Sequence, residues 1–116
     1  MKGLEGAWER AKLLRDWDGW ARRIAAAAGE ILAGGLVGVY AFGSAASGEA
    51  VAASDVDLLI VARALPSSWR GRSDLKAEIL ERAGVPIVSP FQAHLVDEGE
   101  AEAFLRHARG SAKRIL

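Results

Sequence analysis

Two aspartates, Asp55 and Asp57, open the apolar segment DVDLLIVA. Read as a β-strand, this segment places both carboxylates on one face, about 7 Å apart along the backbone, because strand side chains alternate. Two ionised carboxylates at this spacing repel each other, and a divalent cation relieves that repulsion. The chain has no cysteine and no histidine near this segment. Oxygen ligands alone favour Mg²⁺ or Mn²⁺ over zinc. The plain alternative is a strand that begins with two solvated acids.

A glycine–serine pair, Gly43-Ser44, follows the preceding apolar run LVGVYAF. Glycine lets a ligand approach the backbone closely. Serine offers a hydroxyl, and amides at the start of a following helical turn can bind phosphate. Alone, the pair reads as an ordinary turn. Ten residues separate it from Asp55. If the two strands are neighbours, the pair and the two aspartates together predict a polyphosphate site that faces a metal site.

The surrounding segments predict an α+β fold, an α/β sandwich in which helices flank a small β-sheet. We expect the sheet to be mixed, because the connection over residues 43–54 is short for a crossover helix. Asp97, with Glu100 three residues later, predicts a capping box at the start of the last helix. The predicted helices cover residues 13–32, 73–83 and 98–109, and the predicted extended segments cover 36–42, 55–62 and 87–96.

The chain is interpreted as one domain over residues 1–116, with an N-terminal helix over about 4–33 and a catalytic core over about 36–109. Apolar residues keep helical spacing through residues 13–32, whereas Trp8 and its apolar neighbours fall on another face. The helix therefore either bends near residue 12 or packs its first turns on something else. We favour the interpretation that Trp8 covers the domain's own edge. Exposure to a partner is the alternative.

The amino-acid composition restricts the classes to which this protein can belong. The 116 residues are 51% hydrophobic and 26% charged, which is typical of a globular chain. Lys and Arg balance Asp and Glu at 15 each, which gives no signal for direct nucleic-acid binding. Without cysteine there is no disulfide scaffold. The apolar runs are too short for a membrane helix, and the charged N-terminus has no signal-peptide core. We expect a soluble cytoplasmic protein.

The stretch FGSAASGEAVAASDVDLLIV resembles the signature of the DNA polymerase β-like nucleotidyltransferase superfamily. More specifically, the chain resembles the minimal nucleotidyltransferase (MNT) family of the HEPN-associated type, from the tryptophan-containing first helix to PFQAHLVDEGEAEAFLRHAR. The resemblance implies a small mixed sheet flanked by helices and transfer of a nucleotidyl group, commonly AMP from ATP, to an acceptor hydroxyl. It also implies that Gly43 and Ser44 hold the triphosphate while Asp55 and Asp57 ligate Mg²⁺ (or Mn²⁺).

The family usually has a third carboxylate on a later strand, and this sequence departs from that pattern. The matching segment is FQAHLV, residues 91–96, where Gln92 and His94 share a strand face and neither is acidic. We favour His94 as the counterpart, with Gln92 as the other candidate. Neutral imidazole can accept a proton or bind a metal. The alternative for His94 is a hydrogen-bonded structural histidine. Loss of a positioned base costs about 10²–10⁴-fold in rate.

The last 13 residues, FLRHARGSAKRIL, contain no acid but carry four basic residues: Arg106, Arg109, Lys113 and Arg114. The favoured interpretation is a solvated positive helix end that complements the helix dipole. A triphosphate clamp and a surface for an acidic or RNA-bound partner are the alternatives.

The resemblance further implies a HEPN-domain protein as partner, which the chain would serve as an antitoxin by adenylylating a tyrosine of a HEPN ribonuclease. A chain this small leaves little protein for an acceptor site, so we expect a partner or a second copy in a homodimer to supply it. Two functions remain open. One is an active nucleotidyltransferase. The other is a nucleotide-binding module with little or no catalysis that acts by docking on the partner.

Overall fold

The structure is a computed structural model. It describes residues 2–43, 55–108 and 112–116, with only the backbone for residues 2–7 and 108. Ser44 and Arg109 therefore lie outside the described residues. Four helices and four strands follow one another along the chain: α1 (Lys2–Arg15), α2 (Trp17–Leu32), β1 (Leu36–Phe42), β2 (Val56–Ala62), α3 (Trp69–Arg82), β3 (Phe91–Val96), α4 (Glu98–Ala108) and β4 (Lys113–Arg114). A short 3-10 turn, Ala33–Gly35, joins α2 to β1.

The four strands form one mixed sheet in the order β3-β2-β1-β4. β1 pairs antiparallel with both β2 and β4, whereas β2 pairs parallel with β3. A parallel pair requires a crossover, and α3 supplies it between β2 and β3. The mixed sheet confirms the α+β prediction. The central strand β2 is buried on both faces.

The side chains of β2 alternate between two hydrophobic cores. Val56, Leu58 and Ile60 enter the larger core, with residues of α1, α2 and α3. Leu59 and Val61 enter a smaller core, which α4 covers through Ala101 and Leu105. The sheet is thus a layer between helices, as the sequence predicted. Asp57 shares the odd-numbered face of β2 with Leu59 and Val61, on the α4 side of the sheet.

The structure departs from the predicted elements in several places. The N-terminal helix is two helices, and the break falls at Asp16 rather than near residue 12. Asp16 has φ −115° and ψ 42°, which is not helical. α3 begins four residues before the predicted Ser73, because the Ser68 hydroxyl accepts a hydrogen bond from the Gly71 amide at 3.0 Å. β3 begins at Phe91, directly after the buried Pro90, so the predicted strand start at residue 87 was wrong.

The structure also differs from what the sequence predicted for the C-terminal segment. The tail adds the edge strand β4, and the following Ile115 is buried in the larger core. The side chain of Phe104, predicted to face inward, is 38% exposed. Over the described ranges, the helices are all too short or too polar to traverse a bilayer.

Candidate functional site

Gly43 ends β1 against the two aspartates. Its φ is +106°, a conformation that side-chain-bearing residues rarely adopt. A Cβ added there would lie 2.9 Å from the Asp55 carbonyl oxygen and 3.3 Å from Asp57 Oδ2. Glycine at this position therefore allows the end of β1 to touch the start of β2. In the register of the sheet, Phe42 is the partner of Asp57. The structure thus brings Gly43, Asp55 and Asp57 together, as the sequence predicted for neighbouring strands.

His94 joins the site from β3. Its Nε2 lies 3.2 Å from Asp57 Oδ1. An ionised carboxylate only accepts hydrogen bonds, so against an ionised Asp57 the neutral ring would carry its proton on Nε2 and leave Nδ1 free to accept one. The imidazole stacks on Phe42 at 6.3 Å between ring centroids and meets Phe104 at 5.7 Å. These two rings and the carboxylate fix the orientation of the imidazole.

Gln92, the other candidate for the third position, is the register partner of Asp57 on β3 and is exposed. His94 is the β3 side chain that contacts Asp57. The geometry therefore favours His94 over Gln92 as the counterpart of the missing carboxylate. The same contact also fits a structural histidine, so the role of His94 remains a prediction.

The ion-pair partner of Asp55 was not predicted from the sequence. Arg10, on α1, places Nη2 2.6 Å from Asp55 Oδ1 and also donates a hydrogen bond from Nη1 to the Ser89 carbonyl oxygen at 3.2 Å. The arginine side chain is 24% exposed and the aspartate side chain 48%. Arg10 thus ties the first helix both to the aspartate pair and to the loop before β3. The two aspartates have different partners, one cationic and one an imidazole.

The two carboxylates are a suitable donor set for a hard divalent cation. In the described part of the chain, no group of three or more His, Cys, Asp or Glu residues could hold a metal ion. Mg²⁺ does not need such a cage, because it is usually bound by one or two carboxylates, substrate phosphates and water. Asp55 and Asp57 fit that mode. A cation that used Asp55 would share this carboxylate with Arg10 or displace it.

Asp97 caps α4 rather than taking part in the site. Its Oδ1 accepts a hydrogen bond from the Glu100 amide at 2.8 Å, while Glu100 Oε1 accepts one from the Asp97 amide at 3.1 Å. This reciprocal pair is the predicted capping box. The hydrogen bond from the Glu100 backbone holds the pKa of Asp97 below its ordinary value, with smaller contributions from the Glu100 side chain and Arg72.

The remaining sequence candidates lie on the surface. Trp8 is 59% exposed, so it does not cover the domain's edge as we favoured, and Lys12 lies 5.5 Å from the centre of its ring. Arg106 pairs with Glu102 on α4. Lys113 pairs with Asp18 at 3.6 Å, and Arg114 lies over the ring of Tyr40. These local contacts agree with a solvated positive surface.

Comparison with known proteins agrees with this architecture. A structure from Sulfolobus solfataricus superimposes with a TM-score of 0.57 at 22% sequence identity, over 94% of this chain and 85% of that chain. A second structure gives a TM-score of 0.53 at 19% identity, over 78% of this chain and 91% of that one. Both are described as a "putative nucleotidyltransferase". At these identities the likeness shows the fold alone.

The family profile of the nucleotidyltransferase domain matches residues 22–105, which contain β1, β2, β3 and every residue of the candidate site except Arg10. No protein with a curated description matches the chain. The matched range covers well over half of the sequence and includes Gly43, Asp55, Asp57 and His94. The chain therefore belongs to the nucleotidyltransferase domain family.

Proposed function

We propose that this chain is a Mg²⁺-dependent nucleotidyltransferase that moves AMP from ATP to an acceptor hydroxyl. One observation carries the proposal: the positive-φ Gly43 packs directly on Asp55 and Asp57, with His94 hydrogen-bonded to the second aspartate. A glycine turn against paired carboxylates is suited to bring a polyphosphate to its metal.

The residues take separate roles in the proposed reaction. Asp55 and Asp57 would hold Mg²⁺, or Mn²⁺ in its place. The cation would neutralise the charge that develops on the phosphates. Gly43, with Ser44 after it in the sequence, would bind the triphosphate. The acceptor oxygen forms a bond to the α-phosphorus, the bond to the bridging oxygen breaks, and pyrophosphate leaves. Nδ1 of His94 would take the acceptor's proton while Asp57 holds Nε2–H.

The proposed acceptor is a hydroxyl on a HEPN-domain partner protein, with the chain acting as an antitoxin of the MNT type. The family assignment gives the reaction class, and the sequence resemblance gives the partner. Trp8, exposed on α1, is a candidate anchor for a partner, because aromatic side chains are enriched where protein interfaces are strongest.

The alternative function is a nucleotide-binding module that docks on the same partner without transferring AMP. A specific observation favours it: the described strand β3 carries no acidic residue, whereas the family that the sequence resembles usually has a carboxylate on a later strand. Binding of Mg·ATP needs the two carboxylates, whereas turnover also needs a group that accepts the acceptor's proton. The two functions therefore share the nucleotide site and differ in catalysis.

Intact-mass spectrometry separates the two functions. The chain is incubated with ATP, Mg²⁺ and a purified HEPN-domain protein. An active enzyme adds the mass of one AMP residue to the partner, and the double variant Asp55→Asn/Asp57→Asn, run in parallel, adds none. A complex that forms without any mass increase supports the binding module. Absence of both a complex and a mass increase would reject the proposed partner.

A further inference from the structure

A cavity of about 280 Å³ opens beside His94, on the side of β3 away from β2. It is lined by the edge strand β3, from His94 to Val96, and by the first turns of α3 and of α4. His94 therefore stands between the cavity and Asp57. An acceptor that entered here would reach the imidazole directly.

The side chains that line the cavity include one more positive charge than negative charges. Arg72 and Lys76 line it from α3, and Glu100 lines it from α4. Arg72 Nη1 lies 2.7 Å from Glu100 Oε1, so these two charges compensate each other. Lys76 forms no salt bridge with any residue in the described ranges. A group that enters the cavity thus meets an uncompensated ammonium group, which favours a carboxylate or another anion.

Two aromatic side chains line the opening. Trp69 is 84% exposed and Phe104 is 38% exposed. An exposed tryptophan and a partly exposed phenylalanine that line one cavity are typical of a contact surface, because burying the apolar area of each ring is favourable. The rings extend the site beyond the small cavity itself.

On this basis, which rests on the proposed nucleotidyl transfer, we infer that the acceptor hydroxyl is carried by an acidic polypeptide segment that docks over α3, β3 and α4. A carboxylate of the segment pairs with Lys76, an apolar side chain lies on Trp69, and the hydroxyl reaches His94. The transfer is the one already proposed: the acceptor oxygen bonds to the α-phosphorus, pyrophosphate leaves, and the acceptor's proton passes through His94 to solvent.

A polypeptide fits these observations better than a free small molecule does. The cavity, at about 280 Å³, is slightly smaller than the usual range for ligand pockets, about 300–1,000 Å³, and it is open to solvent. It has room for one or two side chains. Trp69, with most of its surface in water, offers contact area that only a longer ligand can cover. The outer edge of β3 also offers backbone groups to an extended segment.

The test measures binding of fluorescein-labelled random copolymers by fluorescence anisotropy, without nucleotide. One copolymer contains Glu and Tyr, and the other contains Lys and Tyr at the same length. We expect the Glu–Tyr copolymer to bind at least about tenfold more tightly, and Lys76→Glu to remove that preference. Arg70→Glu is the matched control, because Arg70 lies exposed on the same helix outside the cavity lining. Trp69→Ala should weaken binding to both copolymers.

A second readout follows transfer of radiolabel from α-labelled ATP to the Glu–Tyr copolymer, and Mg·ATP affinity is measured on the same variants. Loss of copolymer binding in Lys76→Glu, with little change in Arg70→Glu, supports the docking surface, and transfer of label to the Glu–Tyr copolymer supports its hydroxyl as the acceptor. Binding of both the copolymer and Mg·ATP without transfer of label would overturn the assignment of the acceptor. Equal binding of the two copolymers, or equal losses in the two variants, would overturn the docking surface. So would a loss of Mg·ATP affinity in Lys76→Glu, which would place the nucleotide in the cavity. If the chain binds the acidic copolymer but no Mg·ATP, the proposed function fails and the docking surface stands.

Discussion

At the scale of single residues, the two aspartates of the candidate site have different surroundings. Asp55 is paired with Arg10, a fixed cation on the first helix. Asp57 is hydrogen-bonded to His94 and touches the end of β1. A pair that looks symmetrical in the sequence is therefore asymmetric in the fold. Asp55 has its own cation in this structure, whereas Asp57 faces a group that can accept or donate a proton.

The first prediction follows from the Arg10–Asp55 ion pair. Arg10→Gln removes the cation that competes for the carboxylate, so the affinity for Mn²⁺ in the absence of nucleotide should rise. Partly exposed ion pairs are worth up to about 1 kcal/mol, which corresponds to at most about a fivefold change. Calorimetry gives the affinity. The control is Arg22→Gln, because Arg22 pairs with Asp18 on α2. Equal Mn²⁺ affinities in all three proteins would show that Arg10 and the cation do not compete.

The second prediction concerns the missing acid. His94→Asp restores a carboxylate next to Asp57 and should raise the rate of AMP transfer. His94→Ala should lower that rate by about 10²-fold or more if the imidazole takes the acceptor's proton. Gln92→Glu is the matched substitution at the neighbouring exposed position. Equal single-turnover rates in the three variants and the parent chain would exclude both positions from the chemistry.

Some of these residues could be found from the sequence and one could not. Gly43, Asp55 and Asp57 lie within 15 consecutive residues. The alternation of a strand places the two aspartates on one face, and Gly43 joins them because β1 and β2 are neighbours. Arg10 lies 45 residues from Asp55, on a helix whose apolar pattern changes direction nearby. Neither helical periodicity nor charge shows which residue Arg10 will reach, because that depends on how α1 packs on the sheet.

At the scale of elements, the capping box predicted a helix boundary more reliably than apolar periodicity alone did. The capping box at Asp97 and Glu100 starts α4 where the sequence predicted. By contrast, the break at Asp16 falls inside a continuous helical pattern, and β4 is only two residues long. The edge strand forms because β1 offers it a partner and Ile115 is buried behind it. Such tertiary contacts are absent from a local pattern.

The third prediction tests the cap through its charge. Hydrogen bonds from the Glu100 backbone lower the pKa of Asp97 in the folded chain, so its carboxylate stabilises the fold above the unfolded pKa. That contribution is lost as the pH falls through the lower, folded pKa. Asp97→Asn should therefore have a lower Tm than the parent chain at pH 7, and the difference should shrink below about pH 4. Thermal unfolding followed by circular dichroism measures this. A Tm difference that does not change from pH 7 to pH 2.5 would contradict the charged cap.

At the scale of the whole molecule, one central strand serves both the core and the site. β2 is buried on its two faces, Asp55 directly precedes it and Asp57 is its second residue. The larger core fixes β2 against the N-terminal helices, and the smaller core fixes α4 above Asp57 and His94. The site is therefore built at the end of a strand that is buried on both faces, so the backbone that carries its carboxylates is held by both cores.

The fourth prediction is that the two hydrophobic cores respond separately to substitutions. Leu58 and Leu59 are both fully buried, and they belong to different cores. Each substitution to alanine should cost about 2–5 kcal/mol of unfolding free energy. In hydrogen exchange, Leu59→Ala should reduce protection in α4, whereas Leu58→Ala should reduce it in α2. The same loss of protection in both variants would mean that the two cores unfold as one unit.

The fifth prediction tests the claim on which the rest depends, that Asp55 and Asp57 bind the metal of a nucleotide. Calorimetric titration with ATP, with and without Mg²⁺, is carried out on the parent chain and on Asp55→Asn/Asp57→Asn, after thermal unfolding has shown that the variant folds. We expect Mg²⁺ to raise the ATP affinity of the parent chain, and that increase to be lost in the double variant. An ATP affinity in the double variant that equals that of the parent chain in Mg²⁺ would contradict the assigned site.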